Sequence, residues 1–227
     1  MDAAVATSWR RFWHPWGWLL LLLALVTVTP AVDFKVSGLF FDPQFGFAAG
    51  QNAFTEFVRR LVPRIIVVST VIFAAITFAP SLMRGGQPLV EMTSRKVGFL
   101  IASLIIGPGL IVETLLKPNW GRARPDEIVE FGGMLHYSPP LWISDACSHN
   151  CSFVSGHAAV TFWLTAYAFL LPPRYYRQAM LFGILLGASV GMVRVMQGAH
   201  FFSDVVYAGA IVVCVNALLA RLILHRP

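Results

Sequence analysis

The sequence predicts an all-α, polytopic membrane protein with six transmembrane helices, an outer interfacial helix and a loop carrying a candidate active site. Three observations point there. Of 227 residues, 57% are hydrophobic and only 12% are charged, where a soluble domain carries about a quarter charged residues. Six apolar stretches follow one another, each near the ~20 residues that a helix needs to cross a ~30 Å hydrocarbon core. The net charge of +6 is not gathered on one polar face. Its cations stand at the ends of apolar runs or inside three short motifs, which excludes a nucleic-acid-binding surface.

The six expected spans are Trp16–Val32, Pro63–Ala79, Val97–Leu116, Gly156–Leu171, Ala179–Val195 and Val205–Leu224. The fourth and fifth are short and rely on flanking residues to reach the interface. The first is read as a retained span and not as a cleaved signal peptide, because no small-residue cleavage site follows it and further spans do. Trp9, Trp13, Trp16 and Trp18 crowd its start as an aromatic belt would. Between spans one and two, Phe47, Phe54, Phe57, Val58 and Leu61 recur at helical spacing, with Gln51, Asn52, Arg59 and Arg60 largely between them. That pattern predicts an amphipathic helix lying in the outer interface, placed to shape a lateral doorway for a lipid. There is no internal repeat, and residues 1–227 read as one six-span domain.

Six spans place both termini on one side, and Lys and Arg in the short loops say which. Arg10, Arg11, Arg84, Arg95, Lys96, Arg174, Arg177, Arg221 and Arg226 fall on the side of the termini, against Lys35, Arg59, Arg60 and Arg64 on the other. The termini are therefore expected in the cytoplasm, in a multi-pass inner-membrane protein. The long loop 117–155 then faces the periplasm or exterior.

Three stretches at that outer face carry chemistry. Lys117 stands six residues before Arg124-Pro125; Ser155-Gly156-His157 opens span four; Arg194, His200 and Asp204 join spans five and six. Arg gives bidentate contacts to phosphate oxygens and Lys a mobile point charge. Seven apart, Lys117 and Arg124 are about two turns distant if helical, so on one face. Arg122 belongs to the same basic run, with a less definite role. An ordinary basic flank is disfavoured here, since the orientation rule expects few cations on this side. Ser155 is a plausible N-cap, and the first-turn amides behind it suit an anion. His157 in that turn is placed to act as a general acid. His200 and Asp204, four apart, share a face if the helix begins before His200. A carboxylate beside an imidazole fixes its tautomer and leaves the other nitrogen free to attack. The plainer alternatives are a helix start at Ser155 and a capping pair at His200 and Asp204.

The three stretches at these spacings resemble the signature of the type 2 phosphatidic acid phosphatase superfamily, which also contains vanadium haloperoxidases. That signature reads Lys-x6-Arg-Pro, Pro-Ser-Gly-His and Ser-Arg-x5-His-x3-Asp. The match covers residues 117–204. Val154 and Val193 depart from it, standing where the family has Pro and Ser. The resemblance implies that Lys117, Arg124 and Arg194 bind phosphate oxygens, with hydrogen bonds from Ser155 and the Gly156 amide. It implies that His200 attacks phosphorus to form a phosphohistidine, that Asp204 orients it, and that His157 protonates the leaving oxygen and then activates water. No metal or other cofactor is implied, because the cations cover the charge a magnesium ion would otherwise meet.

Gly121-Arg-Ala-Arg-Pro125 with Cys151-Ser-Phe-Val-Ser-Gly-His157 looks most similar to the lipid A phosphatase branch. The implied substrate is a lipid phosphate. Phosphatidylglycerophosphate and undecaprenyl pyrophosphate phosphatases, and a lipid phosphotransferase, use the same residues and stay open, as does an anionic-lipid-binding or transport protein without turnover. No protein partner is readable.

Among the remaining residues, Cys147 and Cys151 lie in the outward loop, where an oxidising exterior would allow a disulfide. A zinc site from Asp145, Cys147, His149 and Cys151 and a pair of free thiols are the alternatives. Glu113, inside span three, is expected to pair with Lys117 or Arg122. Asn216 is expected to make an interhelical hydrogen bond. Cys214, Met192 and Met196 read as packing.

Overall fold

The computed structural model describes residues 18, 19, 21–82 and 93–224. All regular structure among them is helical: α1 (Leu21–Val28), α2 (Ala31–Gly38), α3 (Ala53–Leu82), α4 (Ser94–Asn119), α5 (Gly156–Phe162, wound on as a 3-10 helix to Leu170), α6 (Pro173–Met196) and α7 (Phe202–Leu224). By length and composition α4, α6 and α7 are apolar enough to cross a membrane, with 26, 24 and 23 residues. Trp9, Trp13, Trp16, Arg10, Arg11, Arg84 and Arg226 lie outside the described residues, so the belt and part of the charge bias have no structural counterpart here.

The first expected span is not one straight rod. α1 and α2 meet at 87° around Thr29-Pro30. Proline lacks the N–H that would continue the ladder and crowds the preceding turn. The bend turns α2 across the end of the bundle and carries Asp33 into the interior, where it is fully buried.

The expected interfacial helix is not a separate element. Residues 53–61 are the first turns of α3, which runs through Pro63 without a break. The amphipathic pattern is real, with Phe54 and Phe57 exposed and Thr55 buried, but it decorates the end of a longer rod. Asn52 caps that rod, its side-chain oxygen accepting from Phe54 N at 2.9 Å.

Thr93 caps α4, its hydroxyl accepting from Lys96 N at 3.4 Å. Pro108 inside the helix is absorbed by a π-wound stretch from Ile105 to Leu116, since a wider turn relieves the clash that proline brings. α5 is short, but its second half is 3-10 wound and rises ~2.0 Å per residue instead of ~1.5 Å. Its 7 α-helical and 8 3-10 residues thus reach about 26 Å, where an all-α segment would stop near 22 Å.

α5 is the central helix, packed by α3, α4, α6 and α7. Trp163 is fully buried there and donates from Nε1 to Ser103 Oγ on α4 at 2.8 Å. Asn216 on α7 donates to Thr165 Oγ1 on α5 at 3.0 Å, an interhelical bond of the kind expected. On α6, a Cβ at Gly187 would overlap the Phe162 ring and one at Gly191 would overlap Val205. These glycines allow α6 to approach both neighbours closely. The polar ends of α4, α5, α6 and α7 then meet at a single end of the bundle. The loop 120–155 folds over that end and is tied to α2 by an aromatic cluster that includes Phe34, Tyr137 and Phe201.

Candidate active site

Each motif residue is set by a chain break between two helices. α4 stops at Asn119, and Gly121 takes φ +64°, where a side chain would run into the Ser144 carbonyl. Arg124 is extended, at φ −83° and ψ 159°. Lys117 and Arg124 are therefore not two turns apart on one helical face, as the spacing suggested. They approach the site from separate directions, Lys117 from the last turn of α4 and Arg124 from the loop, where its guanidinium donates to the Asn150 carbonyl at 2.6 Å. Lys117 Nζ pairs with Glu113 at 3.2 Å, one of the two pairings expected for that acid.

The second stretch packs onto the first. A Cβ on Gly156 would overlap the Glu113 carboxylate and lie 3.5 Å from Lys117 Nζ. Only glycine brings the N-terminus of α5 this near the Lys117 ammonium. Ser155 is the N-cap residue of α5, as the sequence suggested, but its hydroxyl does not cap. Ser155 Oγ is buried without a hydrogen-bond partner. His157 is half-buried in the first turn, and Arg194, Lys117, Arg59 and Arg124 are the positive charges acting on it.

The third stretch closes the site. α6 ends at Met196, and Gly198 at φ +70° turns the chain back. Arg194 is buried; its guanidinium donates to the Gln197 side-chain oxygen, while Arg194 Nε has no partner. An unpaired buried polar group costs about 1–3 kcal/mol. Ser155 Oγ and Arg194 Nε are two such groups, from two motifs, and both suit an oxyanion.

His200 is 2% exposed, and its Nδ1 lies 2.7 Å from the Ser152 carbonyl. A carbonyl only accepts, so Nδ1 carries the proton and Nε2 keeps its lone pair. Burial, then the charges of Arg194, Lys117 and Arg124, hold the imidazole pKa well below 6.5, with the Ser152 bond pulling weakly the other way. His200 is thus a neutral base at neutral pH.

Asp204 lies near His200, but not by the helical-face geometry that the spacing suggested. α7 begins at Phe202, after His200, so the two residues do not share a helical face. The nearest approach of the Asp204 carboxylate to His200 Nδ1 is 3.9 Å. The carboxylate instead accepts from Phe201 N at 2.8 Å, Ser152 Oγ at 2.5 Å and Arg122 at 2.5 Å. Arg122, undecided in the sequence, is fully buried and makes a second ion pair with Asp33 at 2.8 Å. Asp33 also accepts from Ser203 N at 2.9 Å and Tyr137 Oη at 3.2 Å. Burial alone would lower the Arg122 pKa, but Asp204 and Asp33 outweigh it and hold the guanidinium charged.

Asp33, Ser152, Ser203 and Gln197 were missed by sequence reasoning. One signal did exist for Asp33: an acid beside an apolar stretch is functional by default in a membrane chain. Nothing local marks Ser152. Cys147 and Cys151 are joined as a disulfide with a Cα–Cα distance of 5.6 Å, which occupies both thiols of the zinc alternative.

The site thus sets the buried Arg194 and Ser155 and the half-buried Lys117 and Arg124 around a neutral imidazole with a free nitrogen. The profile of the PAP2 superfamily matches residues 96–226, more than half of the chain. A lipid A 4'-phosphatase of Francisella tularensis subsp. novicida is 33% identical over 205 residues, covering 86% of each chain. One of Rhizobium leguminosarum is 34% identical over 209 residues, covering 86% of this chain and 87% of its own length. A lipid A 1-phosphatase of Rhizobium etli is 37% identical over 111 residues, covering 48% of this chain and 43% of its own. No solved structure matches the chain.

Proposed function

The chain belongs to the PAP2 superfamily, and from that premise we propose that it is an integral-membrane lipid phosphatase removing a phosphomonoester from a lipid A headgroup. The 4'-position is favoured over the 1-position, because the 4'-phosphatases align along 86% of the chain and the 1-phosphatase over 48%. The observation that carries the reading is His200: buried, neutral, bonded through Nδ1 to Ser152, with Nε2 free.

In the proposed reaction Lys117, Arg124 and Arg194 hold the phosphate oxygens, with Ser155 Oγ and the Gly156 amide adding hydrogen bonds. His200 Nε2 attacks phosphorus; the N–P bond forms as the P–O bond to the sugar breaks. The phosphate dianion, bound beside His157, offsets the surrounding cations and lets the ring take up a proton; His157 then gives that proton to the leaving oxygen. In the second step His157 takes a proton from water, the hydroxide attacks phosphorus, the N–P bond breaks and inorganic phosphate leaves. The three cations neutralise the charge that builds on the phosphoryl oxygens, so the reaction as drawn needs no metal.

We read the chain as one six-span domain, with α1–α2 as a bent first span, α3 and α5 as the second and fourth, and the termini in the cytoplasm. The substrate then keeps its acyl chains in the outer leaflet of the inner membrane.

The test is phosphate release from lipid A by the purified, detergent-solubilised chain in excess chelator. We expect turnover by the wild type and loss of at least 1,000-fold in His200→Ala, as for removal of a nucleophile. Full activity in that variant refutes the mechanism. Radiolabelled phosphate that stays on the protein until a lipid alcohol is added marks a transferase. Turnover of phosphatidylglycerophosphate or undecaprenyl pyrophosphate in place of lipid A overturns the headgroup assignment.

A further inference from the structure

Ser152 lies outside the three motifs, yet its carbonyl is the hydrogen-bond partner of the His200 ring. It is fully buried, and all three of its polar groups are engaged. Its N–H donates to the Arg122 carbonyl at 2.8 Å. Its hydroxyl donates to Asp204 at 2.5 Å. Its carbonyl accepts from His200 Nδ1 at 2.7 Å. Behind it stands a continuous ionic relay: Asp33 holds Arg122, and Arg122 holds Asp204.

We propose that Ser152 is the residue that fixes the tautomer and orientation of His200, and that Asp204 acts on the imidazole only through Ser152. Its role as a positioning residue for a nucleophile rests on the phosphatase reading above; the tautomer assignment does not. The argument is one of geometry. At 3.9 Å the Asp204 carboxylate makes no hydrogen bond to the ring, since such a bond needs about 3.2 Å or less. Its charge is moreover engaged by Arg122 and its lone pairs by Ser152 and Phe201. A backbone carbonyl pinned at both neighbouring points does what a carboxylate does in other imidazole nucleophiles: it accepts the Nδ1 proton and leaves Nε2 bare. It also accepts more strongly once Nε2 carries phosphorus and the ring is cationic.

Two kinds of measurement test this. The first is independent of activity. In the full chain labelled with nitrogen-15 histidine, and assigned by comparison with His200→Gln, His200 should appear as the neutral Nδ1–H tautomer. Asp204→Asn and Ser152→Ala should each blur it into a mixture, and the double variant should look like either single. A wild-type ring protonated at Nε2, or a double variant worse than both singles, overturns the proposal.

The second is kinetic. With lipid A as substrate, Ser152→Ala should lower kcat by about 10–100-fold, the cost of a misplaced reacting atom, with KM within about twofold. The Ser152→Ala and Asp204→Asn losses should not multiply. An unchanged kcat in Ser152→Ala defeats the positioning role. A wild type that shows the Nδ1–H tautomer but releases no phosphate from any lipid refutes the phosphatase reading and leaves the tautomer assignment standing.

Discussion

At the residue scale, two groups set what the site can do: the charged Arg122 and the neutral His200. Arg122 sits without solvent between Asp33 and Asp204, and its guanidinium lies 4.4 Å from the Phe201 ring centroid. Removing one partner of a buried ionic cluster leaves charge unpaired and costs about 3–5 kcal/mol. We therefore expect Arg122→Met to destabilise the chain by about that much, read as a fall in the unfolding midpoint in detergent. A midpoint equal to the wild type would mean the cluster carries no structural load. His200 has the opposite sign of coupling to pH. Its folded pKa is pushed below 6.5 by burial and by Arg194, Lys117 and Arg124. Between that value and 6.5 the unfolded chain binds the proton and the folded chain does not, so stability falls as pH drops below about 6.5. The wild type should lose more stability than His200→Gln between pH 7.5 and pH 5. Equal losses would show that His200 titrates normally.

At the scale of elements, what the sequence made legible were the positions where one residue type has few reasons to be present. The order of helices and the Lys117–Glu113 pair could be read because each signal lies within a few residues. What could not be read was where helices stop. Lys117 and Arg124 fit a helix by count, but Gly121 adopts the left-handed region against Ser144, and no count reports that. The interfacial helix is a true amphipathic pattern without an element of its own: its polar residues end just before the apolar run from Pro63, and α3 continues through both. Asp33 and Ser152 were missed because their partners lie far along the chain: Asp33 bonds Arg122, and Ser152 bonds Asp204. Junctions between elements carry function here, and Gly156 tests that. Its Cα faces Glu113 and Lys117 at the meeting of α4 and α5. Gly156→Ala should push the two helix ends apart and lower kcat/KM on lipid A at least tenfold, with the unfolding midpoint nearly kept because the helix bodies are untouched. Wild-type kcat/KM would mean that this junction does not shape the site.

At the scale of the whole molecule, the distribution of apolar surface argues for lipid around the bundle and fixes what an orientation experiment should find. Leu181, Phe182 and Leu185 on α6 and Ile65, Val68 and Ile72 on α3 are each more than half exposed. Apolar area left in water costs about 25 cal/mol per Å², and a hydrocarbon core removes that cost. The polar residues of the site instead gather at one end of these helices, beyond the band, with Arg124 and the exposed Leu141 and Trp142 on the loop above it. The basic residues Arg174 and Arg177 stand at the opposite end, in the first turns of α6. α6 is long and apolar enough to cross a membrane, which sets its two ends on opposite sides, and the positive-inside rule predicts the Arg174 end in the cytoplasm. Leu141→Cys and Tyr175→Cys, each in a background lacking Cys147, Cys151 and Cys214, report one end each. A membrane-impermeant maleimide should label Leu141→Cys in intact spheroplasts and Tyr175→Cys only after permeabilisation. The reverse pattern would put the site in the cytoplasm. It would also change the substrate pool, since a cytoplasmic site meets a headgroup before export and a periplasmic one meets it after. Orientation, more than any single residue, decides which population of lipid His200 encounters.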